Sequence, residues 1–594
     1  FAISIAVGSA IAAWLCAGRI VLLPAPAGAT LMALFGADLG YLLWTADAHA
    51  AVTSLRDFFA QPDAIRAGVD LAGLACGGAF VAVPTFSALQ AWAREDHRAR
   101  VIAAVNIVSA LMMAGAGGLV AVLQTRGITI AQVMAGLAAL NAAVAWLMLR
   151  YLPTNPLRDF VSILFRAFFR LEVEGLDNIA RAGTAPVLAL NHVSFLDGAL
   201  ALVLTDEDPV FAIDHTIAKA WWVRPFLKMT RAIPLDPSKP MATRTLIKAV
   251  QEGDPLVIFP EGRITVTGGL MKVYDGAAMV ADKTGSSVVP IRIDGLEKTY
   301  FSRLTSVHVR RRLFPKVRVK ILDPVKLEVG EELKGRARRA AAGAALYEVM
   351  SDLIFRTTRT DTTVLERIIE TARDRGMRKP AVQDPLAGSL SYGRLLTGIA
   401  VLAERFRSRF AGEETIGVML PNANAAAATM LAVMSAGKVP AMINFTSGAA
   451  NIRSACRAAQ VRSVITSRAF VEQARLGDLV AEIGRDADIV WLEDVRQSIG
   501  LVDKLLGHLR RDKPRAARKP GDAAVVLFTS GSEGAPKGVV LTHANLLANA
   551  VQAASRIDFN SSDKVFNVLP VFHSFGLTAG TILPLMSGVP VYFY

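Results

Sequence analysis

Five apolar stretches in the first quarter of the chain constrain its fold more than any other feature of the sequence. Each is close to the ~20 residues that a helix needs to cross a hydrocarbon core of about 30 Å, although the first two are short. A signal peptide would not repeat five times, and the alternative is a buried helical core. The sequence therefore predicts an all-α transmembrane region over residues 1–151. The stretches cover approximately residues 1–17, 29–45, 67–91, 101–123 and 129–151.

Clustered arginines indicate how this region is oriented. The loop 93–100 contains three arginines, and the segment 158–170 contains three more. Two predicted crossings separate these segments, so both lie on the same side of the membrane. Because cytoplasmic segments are enriched in Lys and Arg, we expect that side, with the domains that follow, to be cytoplasmic.

Two acidic residues and one amphipathic segment stand out near the apolar stretches. Asp38 and Asp70 lie in or beside them, and an ionisable residue at membrane depth marks a substrate pathway unless it sits at the interface. The segment 156–170 places phenylalanines and aliphatic residues at helical spacing among its arginines. This pattern predicts either a helix that lies on anionic lipid or a core helix of the next domain.

The chain is basic, with 65 Lys and Arg against 51 Asp and Glu and a net charge of +14. Such an excess suits nucleic acid, anionic lipid or an acidic substrate, and the membrane region makes lipid the first choice. No nucleic-acid-binding motif accompanies the charge, so nucleic acid is not an expected partner. Cys16, Cys76 and Cys456 form no CxxC motif or Cys/His cluster, which excludes structural zinc and a disulfide framework. No protein metal site is predicted.

Beyond the apolar region the pattern changes to short β-like runs that alternate with helical ones, as in α/β proteins. One such series occupies residues 152–355, and a second occupies 356–594 and contains a basic linker, RRDKPRAARKP. We therefore predict a multidomain chain in which two α/β domains follow the membrane helices.

The sequence NHVSFLD places His192 and Asp197 five positions apart, directly after an apolar strand. An imidazole can accept a proton from a hydroxyl, and a carboxylate on its other nitrogen fixes the tautomer. No Gly-x-Ser-x-Gly motif is present, so a serine acyl-enzyme is not implied. We predict direct attack of a hydroxyl on an acyl thioester, with His192 as the base and Asp197 as its orienting partner. A structural histidine bonded to an N-cap aspartate is the alternative.

A second motif, FPEGR, follows another apolar strand about 65 residues later. Its glycine lets backbone approach an oxyanion, and its arginine offers a fork for phosphate. Together, NHVSFLD and FPEGR resemble the motifs of the glycerolipid acyltransferase family. The resemblance implies that Glu261, Gly262 and Arg263 bind the substrate phosphate. A looser match, TRAIPLDPSKPM, adds Arg231 as a further phosphate contact.

The sequence LFTSGSEGAPKG supplies glycines, hydroxyls and a lysine that can wrap phosphate oxygens. It fails the Walker pattern, because Lys537 follows Pro536 and precedes Gly538. The string resembles the phosphate loop of the AMP-forming adenylate synthetases, and VLPVFHSFG resembles their next motif, which implies that His573 lies near the acyl pocket. A core histidine is the alternative for His573. The implied ATP-binding residues are Thr529, Ser530, Gly531, Ser532, Glu533, Gly534, Lys537 and Gly538.

From about Asp159 to Tyr594 the chain closely resembles the bacterial bifunctional 2-acylglycerophosphoethanolamine acyltransferase/acyl-[acyl carrier protein] synthetases. The apolar region, which contains VPTFSALQAWAREDHRARVIAAVNIVSALMM, resembles the C-terminal part of major-facilitator lysophospholipid transporters. The resemblance implies salvage at the bacterial inner membrane: transport of the lysolipid, activation of a fatty acid with ATP and Mg²⁺, and acyl transfer to the lysolipid. The implied partners are acyl carrier protein, fatty acid, lysophospholipid and membrane lipid.

Two other interpretations fit the same motifs. One is a fatty-acyl-CoA ligase fused to a lysophosphatidate or glycerol-3-phosphate acyltransferase, and the other is a transporter whose soluble domains are regulatory or degenerate. Residue 1 is Phe within an apolar run, the last residues, VPVYFY, resemble an unfinished strand, and later synthetase motifs are missing. We therefore expect a fragment whose synthetase domain is incomplete and does not by itself finish adenylation and thioester transfer.

Overall fold

The structure, a computed structural model, divides into two compact units. The helical unit comprises residues 1–171 and 199–208, and the α/β unit comprises residues 172–198 and 209–594. The expected domain boundary after residue 151 therefore falls inside the helical unit. The structure describes residues 1–16, 20–45, 63–205, 208–221, 223–224, 227, 230–235, 240–304, 309–529, 536–557, 559 and 562–594, with backbone alone at 240–242.

Each apolar stretch of the sequence forms one helix of the helical unit, and an amphipathic helix follows them. The helices are α1 Ala2–Cys16, α2 Pro24–Thr45, α3 Ala64–Trp92, α4 Arg98–Thr125, α5 Ile130–Arg150 and α6 Pro156–Phe169. Within the described residues, the four helices α2 to α5 are long and apolar enough to cross a membrane, whereas α1 has only 15 residues. These helices are compatible with a membrane region, and they do not by themselves define a major-facilitator fold.

Close packing of α2 against α3 depends on two glycines that face each other. A Cβ atom at Gly28 would lie 2.5 Å from the carbonyl oxygen of Gly77, and one at Gly77 would lie 2.7 Å from that of Gly28. Both distances are too short for any side chain, so only glycine lets the two backbones touch here. The glycine-rich composition of the apolar stretches therefore serves helix packing.

Helix α6 is anchored to the helices that precede it. The buried carboxylate of Asp159 accepts hydrogen bonds from the backbone N–H groups of Leu22 (3.0 Å) and Leu23 (3.2 Å). Phe160 and Phe168 remain about half exposed. α6 therefore belongs to the helical unit rather than to the core of the next domain, and its position on anionic lipid stays a prediction.

Residues 172–357 form a seven-stranded sheet with helices around it. Its strands are β1 Glu172–Glu174, β2 Val187–Leu190, β3 Val210–Asp214, β4 Arg231–Leu235, β5 Leu256–Ile258, β6 Val288–Asp294 and β7 Arg318–Ile321. Its helices are α7 Asp177–Arg181, α8 Asp197–Leu204, α9 His215–Ala218, α10 Pro240–Gln251, α11 Asp275–Thr284 and α12 Gly335–Thr357, with a 3₁₀ turn at Leu296–Lys298.

The strand order β1-β7-β6-β2-β5-β3-β4 places β2 beside β5. Strands β2 to β6 are parallel, and β1 and β7 run in the opposite direction. Ala189 of β2 is in register with Ile258 of β5, and both strands are buried along their length. Because parallel strands end at the same edge of a sheet, the loops that follow β2 and β5 lie side by side.

Residues 363–594 form two further sheets. The strands are β8 Pro380–Asp384, β9 Gly388–Ser391, β10 Thr415–Val418, β11 Val439–Met442, β12 Ser463–Thr466, β13 Asp488–Trp491, β14 Ala523–Thr529, β15 Lys537–Thr542, β16 Val565–Asn567 and β17 Val591–Phe593. The helices are α13 Val364–Arg375, α14 Tyr392–Arg409, α15 Asn424–Ser435, α16 Ala449–Ala458, α17 Arg468–Gln473, α18 Gly477–Ile483, α19 Leu492–Gln497, α20 Leu501–Arg510, α21 His543–Ala554, α22 Ser574–Leu577 and α23 Leu583–Ser587, with a π-helical turn at Thr578–Ile582. The sheet orders are β13-β12-β10-β11-β14-β15 and β16-β17-β8-β9.

Ion pairs connect the two halves of the α/β unit. Nζ of Lys298 lies 3.0 Å from the carboxylate of Asp374, and Arg556 pairs with Glu348 of α12. The expected boundary after residue 355 falls in the last turn of α12, which continues to Thr357. Both predicted α/β domains therefore lie in one compact unit.

Candidate active sites

The loop after β2 holds His192 and Asp197 in direct contact. Nδ1 of His192 lies 2.9 Å from Oδ2 of Asp197. The same oxygen accepts the backbone N–H groups of Val193 (2.6 Å) and Ser194 (2.8 Å). A carboxylate oxygen that accepts these donors also accepts from His192, so the imidazole carries its proton on Nδ1 and presents the lone pair of Nε2. A general base requires this tautomer.

The two members of this pair differ in exposure. Asp197 is fully buried, while the side chain of His192 keeps 15% of its surface exposed. Burial raises the pKa of the Asp197 carboxyl, and the hydrogen bonds from His192 and two backbone amides act in the opposite direction. Nε2 of His192 has no hydrogen-bond partner in the part of the chain that the structure describes. The arrangement therefore suits a base more than a histidine that serves only to hold a helix start.

The FPEGR loop after β5 packs against both the ring and the backbone of His192. The ring of Phe259 stacks on the imidazole, with centroids 4.1 Å apart and planes inclined by 23°. The buried carboxylate of Glu261 accepts the backbone N–H groups of His192 (3.4 Å) and Met271 (3.2 Å). The N–H of Thr265 donates to the carbonyl oxygen of His192 at 2.8 Å. Two motifs that are far apart in sequence thus form one cluster.

The three residues of this loop that were expected to bind phosphate have different roles. The Glu261 carboxylate accepts two backbone N–H groups and has the same sign of charge as phosphate, so its position suits a brace for the loop, and its contact with phosphate stays a prediction. Gly262 has φ +64°, and a Cβ there would lie 3.1 Å from the ring of Tyr274, so this turn requires glycine. Arg263 is exposed and forms no ion pair with any described residue, so its guanidinium can receive a phosphate.

Arg231 lies away from this cluster. It is the first residue of β4, whereas His192 and Glu261 follow the carboxyl ends of parallel strands. Arg231 is therefore at the opposite edge of the sheet, where it forms a bidentate ion pair with Asp254, the residue two positions before β5. This placement differs from the expectation that Arg231 contacts the substrate phosphate, and we do not assign it that role.

Sequence reasoning did not single out two residues that support His192. The side chain of Asn191 donates to the carbonyl oxygen of Ile293 (3.0 Å) and accepts the N–H of the same residue (2.7 Å). It thereby extends the pairing of β2 with β6 and fixes the backbone immediately before His192. Phe259 provides the stacked ring. The available signals were an asparagine at a strand end beside a reactive histidine and an aromatic residue at the start of FPEGR.

The predicted ATP-binding loop connects β14 to β15. Its ends pair across the antiparallel hairpin, Thr529 with Lys537 and Phe528 with Gly538. Thr529, Lys537 and Gly538 are exposed, and they lie at the carboxyl end of a strand parallel to β11, where α/β sheets bind nucleotide phosphates. Outside the described residues lie Ser530, Gly531, Ser532, Glu533 and Gly534.

His573 lies in the loop between β16 and α22, and its side chain is exposed. The buried ring of the adjacent Phe572 meets Phe445 edge-on, with centroids 5.2 Å apart. Phe445 follows β11, the neighbour of β14, so the His573 loop approaches the end of the sheet that carries the phosphate loop. An exposed ring does not fit the core-histidine alternative, and proximity to an acyl pocket stays a prediction.

Metal ligands are a separate question for the ATP site. Among the residues with described positions, no group of three or more His, Cys, Asp or Glu could hold a metal ion. The expected Mg²⁺ is therefore assigned no ligand among the described residues.

Comparison with protein families assigns both halves of the α/β unit. Residues 170–294 match the Acyltransferase family model, and residues 369–594 match the AMP-binding enzyme model. The chain thus contains an acyltransferase domain and an AMP-binding α/β domain, which confirms the two enzyme classes that the sequence predicts. Both matches lie outside the apolar helices, and fusion to a transporter stays a prediction.

Curated relatives match the chain in part. It is 29% identical to the sulfoacetate–CoA ligase of Cupriavidus necator over 212 residues, which are 35% of this chain and 41% of the relative. Long chain acyl-CoA synthetase 6 of Arabidopsis thaliana is 47% identical over 76 residues, 13% of this chain and 11% of that protein. The medium-chain-fatty-acid–[acyl-carrier-protein] ligase TtuA of Teredinibacter turnerae is 43% identical over 75 residues, 13% and 12% respectively. The chain therefore spans less than half the length of each of these relatives.

Proposed function

We propose that the chain acts in lysophospholipid salvage, and that its acyltransferase domain transfers an acyl group from acyl-acyl carrier protein to 2-acylglycerophosphoethanolamine. The observation that carries the proposal is the contact between His192 and Asp197 beside a loop with an exposed Arg263. A lysophospholipid offers the two groups that such a site needs, namely a free glycerol hydroxyl for the base and a phosphate for the guanidinium.

His192 is the general base in this scheme. Asp197 keeps Nδ1 protonated, so Nε2 removes the proton of the glycerol hydroxyl while the hydroxyl oxygen attacks the thioester carbonyl. The C–O bond forms, the C–S bond breaks from the tetrahedral intermediate, and the leaving thiolate takes the proton from Nε2. Asp197 stabilises the imidazolium that exists between the two proton transfers.

The FPEGR loop positions the acceptor. Arg263 binds the phosphate of the lysophospholipid, and its fork geometry suits a phosphate better than a single point charge would. Glu261 keeps this loop against the backbone of His192, so the base and the phosphate-binding group move together. A fixed separation between the two selects an acceptor whose hydroxyl and phosphate share one glycerol unit.

In this proposal, fatty-acid activation belongs to the AMP-binding domain acting together with the later synthetase motifs that this sequence lacks. A fatty-acid carboxylate attacks the α-phosphate of ATP, pyrophosphate leaves, and the acyl group of the resulting adenylate passes to the thiol of acyl carrier protein. The match over residues 369–594 and the similarity to a fatty-acid–[acyl-carrier-protein] ligase support this step. The helices α2 to α5 support a location in the bacterial inner membrane, where they deliver lysolipid to enzyme domains on the cytoplasmic side.

Acyl transfer by the full chain, with acyl-acyl carrier protein as donor, tests the proposal. We expect 2-acylglycerophosphoethanolamine to be a better acceptor than lysophosphatidate or glycerol 3-phosphate, and His192→Ala to lower kcat by about 10²–10⁴-fold. Unchanged turnover in His192→Ala contradicts the proposal. A preference for lysophosphatidate supports the alternative glycerolipid acyltransferase.

A pair of arginine variants separates phosphate binding from loss of surface charge. Arg263→Ala is expected to raise KM for the lysophospholipid at least tenfold, because a charge-assisted bond to phosphate contributes about 1.5–3 kcal/mol. Arg231→Ala removes the same charge at the other edge of the sheet and is expected to leave KM unchanged. Equal effects of the two substitutions would argue against the assigned phosphate site.

A further inference from the structure

Three charged side chains line an open cavity of about 460 Å³ between α2 and α3. Asp38 belongs to α2, and Arg66 and Asp70 belong to α3. Asp38 lies seven residues before the end of α2, and Asp70 lies six residues after the start of α3, distances of about 10 Å along a helix. The rest of the wall is apolar and includes Leu31, Phe35 and Val69.

Arg66 is held on two sides. Its Nε and Nη2 donate to the two oxygens of Asp38 at 3.0 and 2.5 Å, and its guanidinium lies over the ring of Tyr41, 5.8 Å from the centroid. This pairing neutralises Arg66 and Asp38. It leaves Nη1 of Arg66 without a hydrogen-bond partner within the described ranges.

Asp70 adds a second carboxyl group to the cluster, within hydrogen-bonding reach of that of Asp38. Its side chain is 2% exposed, and its Oδ2 has no hydrogen-bond partner among the residues that the structure describes. With Arg66 paired to Asp38, an ionised Asp70 gives these three side chains one net negative charge inside helices long enough to cross a membrane. Two carboxylates this close, one of them buried, are costly at that depth unless a proton or another cation lies between them.

The shape and chemistry of the cavity distinguish among cations. A Ca²⁺ or Mg²⁺ ion needs about six oxygen ligands, and among the described residues that line the cavity the only carboxylates are those of Asp38 and Asp70. A proton shared between Asp38 and Asp70 would neutralise the pair, but it would make no use of the apolar wall of the cavity. A primary ammonium donates up to three hydrogen bonds to carboxylates, and apolar walls suit the methylene groups next to it.

We propose that this cavity binds the headgroup of an ethanolamine lysophospholipid, with its ammonium on Asp70 and Asp38 and its phosphate at Nη1 of Arg66. The inference rests on the proposed function for the substrate class. It goes beyond that function because it assigns headgroup selection to the helical unit, separately from the acyltransferase site.

Site-resolved photolabelling of the full chain in lipid nanodiscs tests the proposal. The probe is a lysophosphatidylethanolamine with a photoreactive diazirine close to its headgroup, and labelled peptides are mapped by mass spectrometry. We expect labelling within residues 24–45 and 64–92, and at least tenfold less labelling with the matching lysophosphatidylglycerol probe, which has no ammonium. Equal labelling by both probes overturns the proposal.

Substitutions identify the carboxylate responsible. Asp70→Asn is expected to lower labelling by the ethanolamine probe at least tenfold, and Asp70→Glu, which keeps the charge, to retain it. The matched control is Asp63→Asn, because Asp63 is exposed at the start of the same helix and does not line the cavity. Unchanged labelling in Asp70→Asn, or equal loss in Asp63→Asn, overturns the proposal.

Acyl transfer measured on the same samples separates this inference from the proposed function. With the acceptor supplied in detergent, Asp70→Asn is expected to transfer acyl groups at the wild-type rate. Normal acyl transfer without labelling of α2 and α3 in the wild type refutes the headgroup site alone. Absence of acyl transfer in the wild type, with labelling intact, refutes the proposed function alone.

Discussion

Replacing Asp197 with Asn measures how much of the acyl-transfer rate comes from the negative charge behind His192. All three donors that reach this carboxylate, Nδ1 of His192 and the backbone N–H groups of Val193 and Ser194, converge on Oδ2. An asparagine must place its carbonyl oxygen at that position, because its NH₂ group would face three donors. The substitution therefore keeps the tautomer of His192 and removes only the charge.

The size of the effect follows from the stabilisation of the imidazolium. At an effective dielectric constant of about 20, two unit charges about 4 Å apart attract each other by about 4 kcal/mol. Exchanging a charge-assisted hydrogen bond for a neutral one costs about 1–2 kcal/mol. These two estimates bracket the change in the barrier. At about 1.4 kcal/mol for each factor of ten, kcat is expected to fall by roughly 5- to 1,000-fold.

Steady-state acyl transfer by the full chain provides the assay. KM for the lysophospholipid should stay constant, because Asp197 is buried behind the ring and the proposed phosphate contact is at Arg263. Asp197→Ala is the contrasting variant, since it also leaves two backbone N–H groups without an acceptor at a cost of about 2–6 kcal/mol. A folded Asp197→Asn protein with kcat within twofold of the wild type would refute the role assigned to the pair.

Two further predictions concern stability. Burial lowers the pKa of His543 from its ordinary 6.5 to about 4, and its Nδ1 accepts the N–H of Val364 at 3.3 Å. As pH falls, His543 therefore takes up a proton at a higher pH in the unfolded chain than in the folded chain. The free energy of unfolding should fall by about 3 kcal/mol as pH drops from about 6.5 to about 4. Thermal unfolding at several pH values should show this slope in the wild type and lose it in His543→Asn, which accepts the same bond without titrating; an equal slope in both would exclude His543 as its source. In the helical unit, Gly28→Ala should cost about 1–3 kcal/mol because its Cβ meets the backbone of Gly77, whereas Gly68→Ala, with no atom within 4 Å of the added Cβ, should not destabilise. Equal melting temperatures for the two glycine variants in detergent would contradict the close contact of α2 with α3.

The contact between His192 and Asp197 could be predicted from the sequence because it is local. His192 and Asp197 are joined by a short turn after β2, so their spacing alone brings the ring to the carboxylate. The helical stretches were predictable for a similar reason, since apolar length sets the span of a helix. The close contact of Gly28 with Gly77 depends on which helices become neighbours, and composition does not decide that.

The contacts made by Glu261, Arg263 and Arg231 could not be predicted from the sequence. They depend on where each side chain points and on which end of a strand it occupies, and residue type decides neither. A carboxylate next to an arginine suits a ligand-binding loop, yet Glu261 turns inward to satisfy backbone donors while Arg263 stays exposed. Arg231 starts a strand instead of following one, which moves it to the far edge of a parallel sheet.

The division of labour in the acyltransferase loop has a physical reason. A phosphate-binding arginine must stay exposed until the substrate arrives, so it cannot also hold its own loop in place. Burying Glu261 against the N–H of His192 provides the rigidity that Arg263 lacks and ties it to the base. If that brace determines the geometry, Glu261→Gln should disturb KM and kcat together. The glutamine oxygen can still accept a hydrogen bond from one of the two backbone N–H groups, but the glutamine NH₂ group then faces the other N–H group, and two donors cannot bond to each other. Kinetics that change KM alone would instead place the carboxylate on the substrate side of the loop.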